Sequence, residues 1–110
     1  MIRRLFSMHL KPGALVEYKR RHDEIWPALV AEIERQGIGQ ITIFERDPEL
    51  FLYSEIADHD AWDHLWHTAI HEKWGEVMAE LMDFNADGIV ETVPVNEIWH
   101  LETGALRAAS

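Results

Sequence analysis

Apolar and polar positions alternate over Ile2 to Leu10, with Phe6, Met8 and Leu10 on one side and Leu5, Ser7 and His9 on the other. A period of two is that of a half-buried strand. Lys11-Pro12-Gly13 breaks the alternation, and Pro12 suits the first turn of a helix. The period then lengthens. Leu15, Tyr18, His22, Ile25, Trp26, Leu29 and Ile33 recur three or four apart, while Glu17, Arg20, Asp23, Glu24, Glu32 and Arg35 fall largely off that stripe. The spacing predicts a helix over residues 13–36. Pro27 should kink or interrupt it, because its ring and missing N–H do not fit a helix interior. Gly37 is the candidate C-terminal cap.

Two strands follow, Ile38 to Glu45 and Leu50 to Ile56, rich in β-branched and aromatic residues. Arg46-Asp47-Pro48-Glu49 between them has turn composition, which makes the pair a hairpin. Asp58 and Asp60 are N-cap candidates for a second helical stretch. Its stripe is Trp62, Leu65, Trp66, Ala69 and Ile70, continued by Trp74, Val77, Met78, Leu81 and Met82, with a break expected near His71. Asp83 to Pro94 reads as a long loop and Val95 to Leu101 as a last strand. The expected organisation is one domain, residues 1–102, and a short frayed tail, residues 103–110. The element order is β-α-β-β-α-β, that of a ferredoxin-like α+β sandwich. Both helices on one face leave the other face of the sheet bare. That face is apolar on either parity, through Ile41 and Ile43 or through Thr42 and Phe44. A homodimer joined sheet to sheet, a dimeric α+β barrel, is the expected solution.

Charge narrows the partners. Twenty acidic residues against ten basic ones give a net charge of −10. That sign excludes a phosphate-backbone binder, so no nucleic acid is expected. No apolar run reaches the roughly 18 residues of a membrane span, and the N-terminus lacks the apolar core of a signal peptide. No membrane partner is expected. The absence of cysteine removes thiol nucleophiles and fits a reducing compartment, so the expected location is cytoplasmic.

The densest chemistry lies in Tyr18-Lys19-Arg20-Arg21-His22-Asp23-Glu24-Ile25-Trp26-Pro27. His22 shares the apolar stripe, with Tyr18 one turn before it and Trp26 one turn after. An imidazole between two aromatics with polar tips is what proton transfer on a small polar molecule needs. The competing reading is a core histidine satisfied by backbone. His64, His67 and His71 fall at i, i+3 and i+7, with Glu72 beside them. They lack a fourth ligand and read as a solvated face, so no metal is expected. His9 and His100 lie on expected outer strands, as cross-strand neighbours or pocket walls, and His59 reads as exposed. Most of Trp26, Trp62, Trp66, Trp74 and Trp99 read as core or dimer contacts, yet flat aromatic faces also stack on sugars. Tyr18 and Trp74 are assigned to a ligand. Asn85 and Asp87 could bond hydroxyls or simply form a turn.

Met1-Ile2-Arg3-Arg4, Glu17-Tyr18, Arg20-Arg21-His22, Ile25-Trp26-Pro27, Lys73-Trp74 and Asn85-Ala86-Asp87 together resemble the L-rhamnose mutarotase family. The resemblance spans the first strand to about Leu101, and the Tyr-x-x-x-His run followed by Ile-Trp-Pro is its most specific part. It implies a cofactor-free dimer that interconverts the α and β anomers of a free deoxy monosaccharide. It implies His22 as catalytic acid/base and Tyr18 and Trp74 as sugar contacts. Three departures surround the pocket. The family's Trp-Trp pair is here Trp74-Gly75, its sugar-contacting strand tyrosine is Ile41, and its Asn-Pro-Asp-Asn-Ser-Pro loop is Asn85-Ala86-Asp87-Gly88-Ile89-Val90. The reaction is expected to be kept while the sugar changes, with L-rhamnose slightly ahead of L-fucose. The rival classes are a non-catalytic sugar-binding module and a small cofactor-dependent oxygenase on the same dimeric fold. Binding without exchange would mark the first, and a coloured protein the second.

Overall fold

The structure, a computed structural model, describes residues 1–105. Four strands form one antiparallel sheet in the order β2-β3-β1-β4. The strands are β1 Ile2–His9, β2 Ile38–Arg46, β3 Glu49–Ile56 and β4 Val93–Val95. β1 pairs with β3 along its whole length, from Ile2 opposite Ile56 to His9 opposite Glu49. Alternation decides what each face carries. Phe6, Met8 and Leu10 share the helix-covered face with Leu50, Leu52, Ser54 and Ile56, and all seven are buried. Each of the large side chains completely covered there, Phe6, Leu50 and Ile56 among them, contributes about 1.5–3 kcal/mol of burial. With helices gathered on one face of a split β-α-β pair, this is the ferredoxin-like α+β fold.

Four helical segments build the cover: α1 Leu15–Asp23, α2 Pro27–Arg35, α3 Ala61–Trp66 and α4 Ala69–Met78. Pro27 interrupts the first stretch as expected. It forces Trp26 before it into extended backbone (φ −67°, ψ 131°) and itself takes the first position of α2. Gly37 follows α2 at φ 84°, left-handed backbone that a side chain disfavours.

Three boundaries differ from expectation. The break in the second stretch falls at His67-Thr68 and not near His71. Thr68 is the cause, since it is extended and its Oγ1 accepts the His71 backbone N–H at 3.3 Å. The stretch also stops at Met78, ahead of Leu81 and Met82. The last strand is Val93–Val95 and not Val95 to Leu101, with Pro94 opposite Phe6. Proline is tolerated there because β4 is an edge strand. Beyond it Ile98, Trp99 and Leu101 are exposed, and Arg3 reaches Glu97 through a 2.7 Å ion pair. The tail expected over residues 103–110 falls mostly on residues 106–110, which lie outside those described.

The opposite sheet face carries Leu5, Phe44, Phe51, Tyr53, Val93 and Val95. Among the described residues no helix covers it, and Phe44 is 59% exposed. Among the described residues no helix is long and apolar enough to cross a membrane.

Candidate active site

Between the sheet and the helices lies a cavity of about 560 Å³. α1 lines it with Tyr18 and His22, α4 with His71, Trp74 and Gly75, and β2 with Ile41 and Ile43. The size is within the range of small-molecule sites.

His22 sits on the stripe that periodicity predicts, and the helix itself orients it. Its Nδ1 lies 3.0 Å from the backbone carbonyl oxygen of Tyr18, one turn earlier. A carbonyl oxygen only accepts, so Nδ1 carries the proton. In the neutral ring Nε2 is then the lone-pair nitrogen. Burial pulls the pKa of His22 below the ordinary histidine value, against smaller upward pulls from the Tyr18 carbonyl and the Asp23 carboxylate. The ring is therefore predominantly neutral at pH 7 and able to accept a proton.

Aromatic contacts hold it in place. The Tyr18 ring lies 4.1 Å from the His22 ring, tilted by 33°. Trp74 meets His22 edge-on at 5.3 Å, and Trp26 meets Trp74 edge-on at 5.1 Å. The two edge-on arrangements suit rings with negative faces and positive edges. Tyr18 is buried, which drives its hydroxyl pKa upward and keeps it protonated. Arg21 clamps α1 to the end of α4: its guanidinium donates to the Val77 carbonyl at 2.6 Å and pairs with Glu80 at 3.0 Å. The same side chain bonds Glu17 within α1 at 2.7 Å. The distance between the His22 helix and the Trp74 helix is thus set by side chains outside the cavity.

Five of the seven residues singled out in the sequence come together: His22, Tyr18, Trp74, Ile41 and Gly75 all line the cavity. Asn85 and Asp87 do not line it. Asn85 Oδ1 accepts the backbone N–H groups of Asp87 at 2.9 Å and Ile89 at 3.1 Å, so its side chain builds the turn. Phe84, which the sequence reading did not single out, lies just before that turn, with its Cε2 3.4 Å from where a Cβ on Gly75 would stand. Phe84 lines the cavity and therefore fills part of the room beside Gly75.

The histidine triplet divides. His64 and His67 are exposed on or just after α3, while His71 is half-buried on the cavity wall. The helix break separates them, and among the described residues no three His, Asp or Glu side chains are grouped to hold a metal. The solvated-face reading is therefore wrong for His71. Its spacing held the signal, because His71, Trp74 and Met78 recur along one helical stripe. Neither His9 nor His100 lines the cavity. His9 is exposed at the end of β1, and His100 lies beyond β4, 3.9 Å from Glu97.

Residues 3–101 match the family model described as L-rhamnose mutarotase. The chain is 35% identical over 104 residues to an L-rhamnose mutarotase of Oceanobacillus iheyensis, covering 93% of this chain and 100% of that one. Its fold superposes on the crystal structure of an L-rhamnose mutarotase from Formosa agariphila with TM-score 0.83 and 29% identity, over 93% of this chain and 100% of that chain. A dimeric ferredoxin-like protein from an uncultured marine organism shares the fold alone, with TM-score 0.59 and 11% identity over 92% of this chain and 95% of that one. With the family model matched over residues 3–101 and a relative 35% identical over 93% of this chain, the chain belongs to the L-rhamnose mutarotase family.

Proposed function

We propose that this protein exchanges the α and β anomers of a free 6-deoxy-L-hexose, with L-rhamnose slightly ahead of L-fucose, and that His22 is its acid/base. The observation that carries this is the His22 Nδ1 contact with the Tyr18 carbonyl, which leaves Nε2 to the cavity chemistry. Nε2 takes the proton of the anomeric O–H. The O–H electron pair becomes the aldehyde C=O, the bond between C1 and the ring oxygen breaks, and the ring oxygen takes the proton back from the imidazolium. Rotation about C1–C2 presents the other carbonyl face, and the same steps in reverse close the ring. One proton returns to where it began, so one group near neutral pKa serves both directions. The anomeric and ring oxygens share one carbon, so a single nitrogen is positioned for both. Spontaneous opening in water already occurs, and holding the sugar against one base supplies the remaining acceleration.

Trp74 and Tyr18 offer aromatic surface to a pyranose. Ile41 and Gly75 offer no hydrogen-bonding side chain, which favours a sugar with fewer polar contacts on those sides. The bare apolar sheet face is assigned to a second copy of the chain, and the site of action to the cytoplasm.

The test is a panel of exchange rates by saturation-transfer NMR on anomeric protons, with L-rhamnose, L-fucose, D-galactose and D-glucose compared with and without protein. Acceleration of at least one of the two 6-deoxy sugars is expected. If none of the four exchanges faster than in buffer, the mutarotase reading fails. Sugar binding without exchange would leave a carbohydrate-binding module in its place.

A further inference from the structure

His71 is the second imidazole on the cavity wall. It leaves the first turn of α4 on the face that Trp74 occupies one turn later. Thr68 Oγ1 holds its backbone N–H at 3.3 Å, which fixes the root of the side chain and leaves the ring free. Among the described residues no protein group bonds either ring nitrogen, whereas Nδ1 of His22 is committed to Tyr18. His71 also has no task in the proton cycle of His22.

We infer that His71 is a second sugar-contacting residue, whose neutral imidazole offers one donor and one acceptor to pyranose oxygens from the α4 wall while His22 works from α1. The inference rests on the mutarotase reading for its ligand class. Three features of the wall support it. A neutral imidazole carries one N–H and one lone pair, and sugar hydroxyls both donate and accept. Burial holds the pKa of His71 at about 4, so the ring is neutral at neutral pH. The charged groups that share the cavity, Lys19, Asp23 and Glu45, are not among the causes of that shift. Ile41 and Gly75 contribute no polar side chain to the lining, so on α4 the reading of hydroxyl stereochemistry falls to His71 and the Trp74 indole. A site that bonds a hydroxyl discriminates strongly against an epimer that misplaces it.

The test uses the full chain labelled with ¹⁵N. Long-range ¹H–¹⁵N spectra report the ring nitrogens of His71, and the Trp74 indole N–H reports entry of a sugar into the cavity. Titration with L-rhamnose and L-fucose should move both. In exchange assays the folded His71→Leu variant should raise KM about tenfold, the worth of a lost hydrogen bond, with a smaller change in kcat. His71→Gln, which keeps a donor and an acceptor, should recover part of that loss. His71 signals that stay fixed while the Trp74 signal moves would overturn the inference. So would unchanged KM and sugar preference in His71→Leu. Movement of the His71 signals without anomer exchange would reject the mutarotase reading alone and keep His71 as a sugar contact. If neither sugar moves either signal, both fail.

Discussion

The Nδ1–H of His22 is donated to the backbone carbonyl of Tyr18 at 3.0 Å, within one turn of the same helix. Because donor and acceptor share α1, the tautomer of the His22 imidazole is set locally and needs no partner from a distant element. The Tyr18 ring, 4.1 Å from the imidazole, then limits how the ring can turn. α1 thus arrives with the His22 ring already oriented, and the Arg21 clamp to Val77 and Glu80 sets its distance from α4.

The pH dependence follows from burial. His22 must be neutral to accept a proton, and its pKa lies below the ordinary histidine value. kcat/KM should therefore hold as pH falls through about 6.5, the unperturbed value, and decline only at lower pH. A plot of log kcat/KM against pH checks this. An acid limb centred at or above the unperturbed value would contradict it.

His71 couples folding to acid. Its folded pKa of about 4 is depressed from the 6.5 of a free histidine. The unfolded chain therefore binds the extra proton between those values, and stability falls as pH drops through that window. The contribution present above pH 6.5 and lost by pH 4 is at most about 3 kcal/mol. In His71→Gln the fall in stability across this window should be shallower than in the parent, measured by urea unfolding from pH 7 to 4. Parallel curves for the two proteins would show that His71 is more hydrated than its burial implies.

Gly75 and Phe84 divide one space. A Cβ on Gly75 meets the Phe84 ring at 3.4 Å, ordinary contact, so Gly75→Ala should be tolerated. A large side chain there must displace Phe84. Gly75→Trp should cost about 1–3 kcal/mol by overpacking, and adding Phe84→Ala should recover most of it. Thermal unfolding of the two single variants and the double variant measures the coupling. Additive effects would mean that the two residues do not compete.

Assembly is read from the open sheet face. Phe44, 59% exposed, stands there with Phe51 and Val93. Light scattering should give twice the 12.8 kDa chain mass, and Phe44→Lys, which places a charge on that face, should shift the mass toward the monomer. A parent protein that scatters as a monomer at micromolar concentration would refute the interface.

The opening helix was legible because its period, its proline and its histidine agree. Pro27 marks the interruption, and the stripe through Tyr18 and His22 is the one that meets the cavity. Ile41 was legible only through the family pattern, since strand parity alone left two faces open. The last strand is hidden in the sequence because the apolar residues after Val95 have strand composition, while the edge strand itself contains a proline that argues against it. Asn85 carries the family's loop signature but also the commonest turn chemistry, and in this chain the turn takes its oxygen. In sequence His71 falls in register with His64 and His67, and only the break between α3 and α4 takes it to a different surface. Thr68, a good N-cap residue, is the signal in the sequence that marks this break.

The most direct measurement is anomer exchange in a His22→Ala variant. Saturation transfer between the α and β anomeric protons of the sugar that the parent protein accelerates best gives the rate, and circular dichroism confirms the fold. His22 contributes one partly buried ring packed between Tyr18 and Trp74, so the variant should remain folded. General acid/base groups are worth about 10²–10⁴ in rate, and exchange should fall toward the buffer value by at least the lower figure or to the limit of detection. Undiminished exchange in the folded variant would make His22 a structural residue and remove the acid/base from this site.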